Sequence, residues 1–455
     1  MGQARGIKSC PVSPSLHDLR IFNPHSAISN PQSLKFLLLN QCFYPDVVST
    51  AQHLTDLALG LVEQGHEVTV IASDLGYDDP STRFPKRETW KGIKIIRIPS
   101  FSLGKQNKWR RALNFGSFLT TCTLRLLLLP RFDMVITLTS PPLISFLGSL
   151  FVKLKGGKFV FWVMDLNPDE AIAAGWLKEH SLTARMLHGF LHYSLEHAEK
   201  IIVLDRFMRA RILEKGIDEH KLVTLAPWSH SDAVTYDSRG RELFRKEHGL
   251  SEKFVVMYSG NHSPCHPLDT LLQAAEKLPH SSEIVFYFVG GGSEQTKVRQ
   301  FAQERKLANV ICLPYQPLDK LAGSLSAADL QVVVMGDSFA GIIHPCKVYN
   351  ILEVGAPFLY IGPTESHIVD LIDKIDDKST VCSARHGDAD TVAAFIRAQS
   401  QNAQRAPRTA ALKTTFSKET LLPQMLKLMA TIAAGEGIPQ KLSDVGSKRP
   451  TVNSI

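Results

Sequence analysis

The sequence predicts an α/β fold made of two doubly wound parallel sheets in tandem, and three observations carry that expectation. Short apolar runs alternate with longer amphipathic ones from Lys35 onward. The runs are apolar throughout, as strands are when helices cover both faces of a parallel sheet. A polar stretch, SDAVTYDSRGRE, divides the series near 230–240, and 455 residues suffice for two cores.

The first series opens with FLLLNQ at 36–41, a helical stretch from Ser49 to Gln64 and the strand EVTVIAS at 67–73. IKIIRIPS, a helix over 108–129, DMVITLT, a helix from Pro142 to Leu154, KFVFWVMD, a helix over 182–198 and KIIVLD follow. The second series alternates FVVMYSG, IVFYFVGGG, NVICLPY, LQVVVM and FLYIG with helices over 267–278, 293–306, 317–327 and 345–354, and further helices run to 434. Open sheets of this kind bind ligands at the carboxyl ends of their strands, so the strand-end loops are where chemistry is expected.

The formal charge is +7, which favours an acidic partner. Nucleic acid is excluded because the basic residues are dispersed and not gathered with aromatics. Seven cysteines are scattered without a CxxC pair, which argues against a disulfide framework or structural zinc and fits a reducing cytoplasm. The polar start MGQARGIKSCPVSPSLHDLR lacks the apolar run of a secretory signal.

Four strand ends stand out. In SGNHSPCHPLD, His262, Cys265 and His266 pose a choice between a metal cluster and a turn presenting backbone amides. Gly260, Pro264 and Pro267 break any helix that would align the two histidines, and only three ligands are at hand, so an amide-lined turn under a phosphate is the preferred reading. Gly290, Gly291 and Gly292 end the next strand and permit close approach to a ligand; a tight strand-to-helix turn is the alternative. In DSFAGIIHPCKVYNILEVGAP, Lys347, Asn350 and Glu353 recur every third residue at the start of a helix, which suits a diphosphate and hydroxyls; a solvated charged face is the alternative. Asp165 ends KFVFWVMD beside Asn167, where an apolar strand would raise its pKa toward a value useful in proton transfer. DLNP also reads as a side-chain-capped turn.

The blocks FYPDVVSTAQHLTDLALGLVEQGHEVTVIAS, FVFWVMDLNPDEAIAAGWL, VMYSGN, FVGGGSE and PCKVYNILEVGAPFLYIG resemble the retaining glycosyltransferases of family 4, which have the GT-B fold, over about Lys35 to Thr431. The likeness is closest to members that build bacterial capsule, colanic acid and O-antigen polysaccharides. It implies transfer of a sugar from a UDP- or GDP-linked donor to a lipid-linked or oligosaccharide acceptor, without a metal or other cofactor. Gly260 and Asn261 match the family's Gly-Arg turn, and His266 falls where many members carry a phosphate-binding lysine. The family's paired glutamates align with Ile342 and Asn350, so neither acid is present, and Lys347 is left as the phosphate cation. Val47, Val48, Ser49 and Thr50 occupy the place of the family's first-domain glycines; Ser49 and Thr50 are candidates on the acceptor side or as helix caps.

The implied organisation is a flexible arm over 1–33, an acceptor domain over 34–232 and a nucleotide-sugar domain over 240–415. A helix over 416–434 returns toward the first domain, and 435–455 form a disordered tail. Residues 105–132 join a basic flank, Lys105, Lys108, Arg110 and Arg111, to an apolar helix too short to span a bilayer. A helix lying on an anionic membrane surface and a buried helix are the two readings, which makes the protein cytoplasmic with a peripheral option on the inner membrane face. Because both glutamates are missing, a non-catalytic nucleotide-sugar-binding or scaffold subunit is the competing function.

Overall fold

The computed structural model describes residues 33–77, 81–101, 108–230, 234–278, 283–401, 415–437 and 444–445. The chain divides into compact units Met1–Ser33 and Leu34–Ile455, and all the secondary structure described lies in the second. The expected arm over 1–33 lies outside the described residues except for Ser33.

The first domain runs β1 (Lys35–Leu39), α1 (Ser49–Glu63), β2 (Glu67–Ser73), β3 (Arg87–Trp90), β4 (Ile93–Ile98), α2 (Lys108–Leu127), β5 (Met134–Thr137) and α3 (Ile144–Lys155). It continues with β6 (Lys158–Trp162), α4 (Asp169–Ala173), α5 (Leu182–His197), β7 (Lys200–Val203), α6 (Arg206–Glu214) and β8 (Leu222–Leu225). The second domain runs α7 (Ser238–Glu247), β9 (Phe254–Asn261), α8 (Asp269–Lys277), β10 (Ile284–Gly291), α9 (Glu294–Glu304), β11 (Val310–Leu313), α10 (Leu318–Ala327) and β12 (Leu330–Val334). It closes with α11 (Lys347–Val354), β13 (Phe358–Ile361), α12 (His367–Asp373), β14 (Val381–Ala384) and α13 (Ala389–Gln401); α14 (Lys418–Ala434) and β15 (Asp444–Val445) complete the chain.

The first sheet has the order β15-β8-β7-β6-β5-β1-β2-β4-β3 and the second β11-β10-β9-β12-β13-β14. Every pairing is parallel except β3 with β4. The sequence does not announce β3, because RETW is a short, polar edge strand with no buried residue. The tail was expected to lack structure, yet Asp444–Val445 pairs with Thr224–Leu225, where β8 offers an otherwise unpaired edge.

Strands that are apolar throughout are buried as that pattern requires: β1, β5, β8, β12 and β13 carry Phe36–Leu39, Met134–Thr137, Leu222–Leu225, Leu330–Val334 and Phe358–Ile361 entirely inside. α14 lies on α1, where a Cβ at Gly60 would come within 2.8 Å of Leu426, and Lys158 donates from β6 to the carbonyls of Ile432 and Ala433. The two Rossmann-like domains meet through specific contacts. Leu166 N donates to Ile342 O at 2.8 Å, and Arg206 forms a two-pronged ion pair with Asp370 at 2.7 and 3.0 Å. Gly341, at φ 72°, lies so close to the Phe207 carbonyl that a Cβ would sit 2.7 Å from it.

Candidate functional site

On the second domain the site begins with two glycine-ended strands in register, Gly260 opposite Gly290 and Asn261 opposite Gly291. The glycines are there because the backbones nearly touch. A Cβ at Gly290 would meet the Gly260 carbonyl at 2.0 Å, and one at Gly292 would meet the His262 carbonyl at 2.2 Å. Gly291 carries the Tyr315 ring, 3.1 Å from where its Cβ would be. The glycine run therefore serves the protein's own packing first, which favours the tight-turn alternative.

Lys347 opens α11 and reaches back over this seam. Its Nζ lies 3.7 Å from the centre of the Tyr258 ring and would be 3.0 Å from a Cβ on Gly260, so glycine is what admits the ammonium. That Nζ is buried and has no hydrogen-bond partner, and burial pulls its pKa down to about 7. Beside it His262 is buried with neither ring nitrogen hydrogen-bonded; burial first, then the Lys347 charge, lower it to about 4. His266 instead spends Nδ1 on the Val334 carbonyl at 2.7 Å and is lowered to about 3, again by burial first and Lys347 second. Cys265 turns the other way and faces Glu170 Oε1 at 3.8 Å. Of the three side chains that raised the metal question, His262 and His266 thus both border Lys347, and Cys265 faces Glu170 instead.

α11 divides the residues expected to share a face. Lys347 meets Gly260 and Tyr258, whereas Glu353 is buried and accepts from Ser229 Oγ at 2.8 Å in the segment between the domains. Asn350 is half-buried on the same helix. Glu353 is accordingly an interdomain support in this structure and is not brought to the Lys347 cluster.

Across the boundary, Asp165 follows β6 and lines a pocket together with Asn167. Burial, reinforced by Glu170, pushes the Asp165 carboxyl up to about 8. Asn167 Nδ2 donates to Glu170 Oε2 at 3.0 Å, so its side chain braces the turn. Asp165 and Ser49 both act on Cys346, the residue before Lys347, which brings the first-domain candidates to the root of α11. Ser49 does not cap α1, since Val48 holds that position and no side chain caps it; Ser49 Oγ lies 3.3 Å from His53 Nδ1 instead. Thr50 is half-buried in the first turn.

A further cluster spans the domains. Asp205 caps α6 through the amides of Phe207 and Met208 and meets His344 Nδ1 at 2.7 Å and His367 Nδ1 at 3.7 Å. These three could hold a metal only by rearranging. The two imidazoles stack at 3.7 Å and 16°, so their lone pairs do not converge, and His344 Nε2 is already on Tyr349 OH at 2.7 Å. The signal for Asp205 was the one that found Asp165, a carboxylate ending an apolar strand; its histidines, 139 and 162 residues away, gave none.

Residues 50–228 match the glycosyl transferase 4-like domain and residues 240–340 the glycosyl transferases group 1 domain. The chain is 24% identical over 336 residues to the putative colanic acid biosynthesis glycosyl transferase WcaI of Escherichia coli, covering 71% of this chain and 82% of that protein. Among solved structures it is similar to sucrose-phosphate synthase from Thermosynechococcus elongatus, with TM-score 0.66, 15% identity and coverage of 89% of this chain and 100% of that one. It is also similar to Anabaena HepE in complex with UDP-glucose, with TM-score 0.64, 14% identity and coverage of 88% and 100%. Two Rossmann-like domains joined in this way, both matched by the sequence families of glycosyl transfer, make the chain a glycosyltransferase of family 4 with the GT-B fold.

Proposed function

We propose that the chain transfers a sugar, with retention, from a nucleoside diphosphate sugar to a lipid-linked glycan in cell-surface polysaccharide synthesis. One observation carries the donor half: the buried Lys347 Nζ without a hydrogen-bond partner, flanked by His262 with two free ring nitrogens. Leaving such groups unpaired in a folded interior costs free energy, and a diphosphate would satisfy them. The similarity to HepE, described in complex with UDP-glucose, and to WcaI, described with colanic acid, supports the donor and pathway classes.

Departure of the diphosphate from the sugar C1 puts negative charge on its bridging oxygen. A reprotonated Lys347 and His262 N–H are placed to stabilise that charge, so no metal is assigned to the step. In the retaining route the acceptor hydroxyl's oxygen bonds C1 on the face that the diphosphate leaves, as its proton passes to Asp165. Asp165 orients the hydroxyl by accepting its hydrogen bond. The test is thermal denaturation with UDP, GDP and their sugars, followed by product analysis with the best donor. Stabilisation by at least one of them without turnover on any lipid-linked acceptor would favour the scaffold reading that the absent glutamates motivate.

The acceptor's lipid also favours attachment to a membrane surface. α2 buries Phe118, Cys122 and Leu126 yet leaves Leu113, Leu124 and Leu127 exposed; just beyond it Leu129 is buried and Leu128 is exposed at 77%. No helix among the described residues is long and apolar enough to cross a membrane, and α2 is assigned to lie on one. Lys105 of the expected basic flank lies outside the described residues. Leu124→Glu with Leu128→Glu is expected to abolish flotation with anionic vesicles while the melting temperature stays unchanged; retained flotation would rule α2 out.

A further inference from the structure

A second feature of the first domain bears on how the acceptor is held. A small pocket, partly open to solvent, lies among the β5–α3 loop, the loop after β6, and α5. Pro141, Leu143, Ile144, Phe161, Leu187 and Leu191 give it apolar walls. Only four lining residues are polar, Thr139, Ser145, Asp165 and Asn167. Two of these are engaged within the protein, Ser145 Oγ with Ser194 Oγ at 3.2 Å and Asn167 with Glu170.

That inventory discriminates between ligand classes. A hexose carries hydroxyls around its whole ring, and most would lose water here without gaining a partner. A hydrocarbon chain meets no such cost and gains the burial of its methylenes. Leu143, one wall, is held at φ 74°, a left-handed conformation that strains any residue with a Cβ. The same helix that contributes Leu187 and Leu191 also exposes Leu182 at 82% and Met186 at 53%.

We infer that this pocket, beside Asp165, receives the aliphatic chain of the acceptor, so that a lipid-linked glycan is held by its hydrocarbon as well as by its sugar. The inference rests on the lipid-linked acceptor of the proposed function and assigns that lipid a place distinct from the membrane-facing side of α2.

The experiment is calorimetric titration of the full chain, saturated with the nucleotide that stabilises it best, with methyl, hexyl and octyl β-glucoside below micelle formation. Affinity is expected to rise by about fourfold for each methylene buried. Leu187→Trp, which fills the pocket from a half-buried position, should flatten that dependence to within twofold of methyl glucoside. Leu143→Gly, which accepts φ 74° without strain and removes a wall, decides the matter if the tryptophan variant misfolds: it should keep the fold and lose at least tenfold in octyl glucoside affinity. No chain-length dependence in the wild type overturns the inference. So does a dependence that survives both pocket variants, above all if Leu128→Glu just beyond α2 removes it. Loss of nucleotide stabilisation with chain binding intact would instead count against the donor reading and leave the pocket assignment standing.

Discussion

Two ionisable groups, one on each side of the interdomain boundary, are pushed toward neutrality by the same cause from opposite directions. Burial brings Lys347 down to about 7 and Asp165 up to about 8. Their surroundings differ. Lys347 Nζ is enclosed against an aromatic ring and a glycine, with no acceptor in reach, whereas Asp165 borders an open pocket. A buried ammonium waiting for an acceptor is suited to an anion; a carboxyl beside an apolar pocket is suited to a hydroxyl on the sugar whose hydrocarbon that pocket is proposed to take. On that difference the proposed function gives each domain its partner: leaving group on the second, acceptor on the first.

The largest effect that can break this comparison is on Asp165. Asp165→Asn keeps the shape and removes the acceptor of the hydroxyl's hydrogen bond, and kcat is expected to fall by roughly 10²–10⁴ with donor affinity unchanged. Steady-state kinetics with donor binding measured separately checks it. An equal loss of donor binding would place Asp165 on the wrong side of the division. Wild-type activity should also rise with pH toward about 8 as the carboxyl ionises, a limb the amide lacks. In the folded protein this raised pKa means that Asp165 contributes most to stability below its ordinary value of 3.8, and the contribution is lost as pH climbs toward about 8.

A smaller effect is expected at Lys347. Hydrogen bonds to a charged group contribute about 1.5–3 kcal/mol, so Lys347→Met should weaken nucleoside diphosphate binding by roughly 10- to 150-fold. Because it deletes a buried charge site with no partner, it should not lower the melting temperature of the free protein. Unchanged nucleotide affinity in this variant would remove the observation on which the donor site stands.

The division between the domains was only partly legible in the sequence. Strand and helix alternation is a local property, so Phe36–Leu39 and Leu330–Val334 declare themselves as buried parallel strands without any knowledge of their neighbours. Gly260 and Lys347 could be singled out for the same reason, each standing at a strand or helix terminus. Glu353 was grouped with Lys347 because both fall on a three-residue spacing, but at 3.6 residues per turn six residues leave them about 120° apart, and Glu353 finds Ser229. The glycine run was read as an approach for ligand because sequence shows only the missing Cβ; that Gly260 O and His262 O fill the vacated space requires the register of β9 and β10. His262 was weighed only as a metal ligand, since nothing local shows that its ring would be buried between Tyr258 and Phe288 beside an ammonium.

The smallest effect sharpens the comparison most, because it reads the protonation state directly. Free Lys347 has its pKa near 7 instead of 10.5, so between those values the folded chain holds it neutral while the unfolded chain holds it charged. The unfolded state then binds more protons, and the stability that this residue contributes rises with pH across that window and is lost as pH falls through about 7. A diphosphate bound against Nζ restores the charge. Binding at pH 8.5 should therefore take up close to one proton, seen as a dependence of calorimetric enthalpy on the ionisation enthalpy of the buffer. Lys347→Met should abolish the uptake, and Asp165→Asn should leave it intact, since the proposed function sets the first-domain carboxyl against the acceptor and not the donor. Proton release, or an uptake that depends on Asp165, would mean that the two groups share one ligand and that the assignment of one partner to each domain is mistaken.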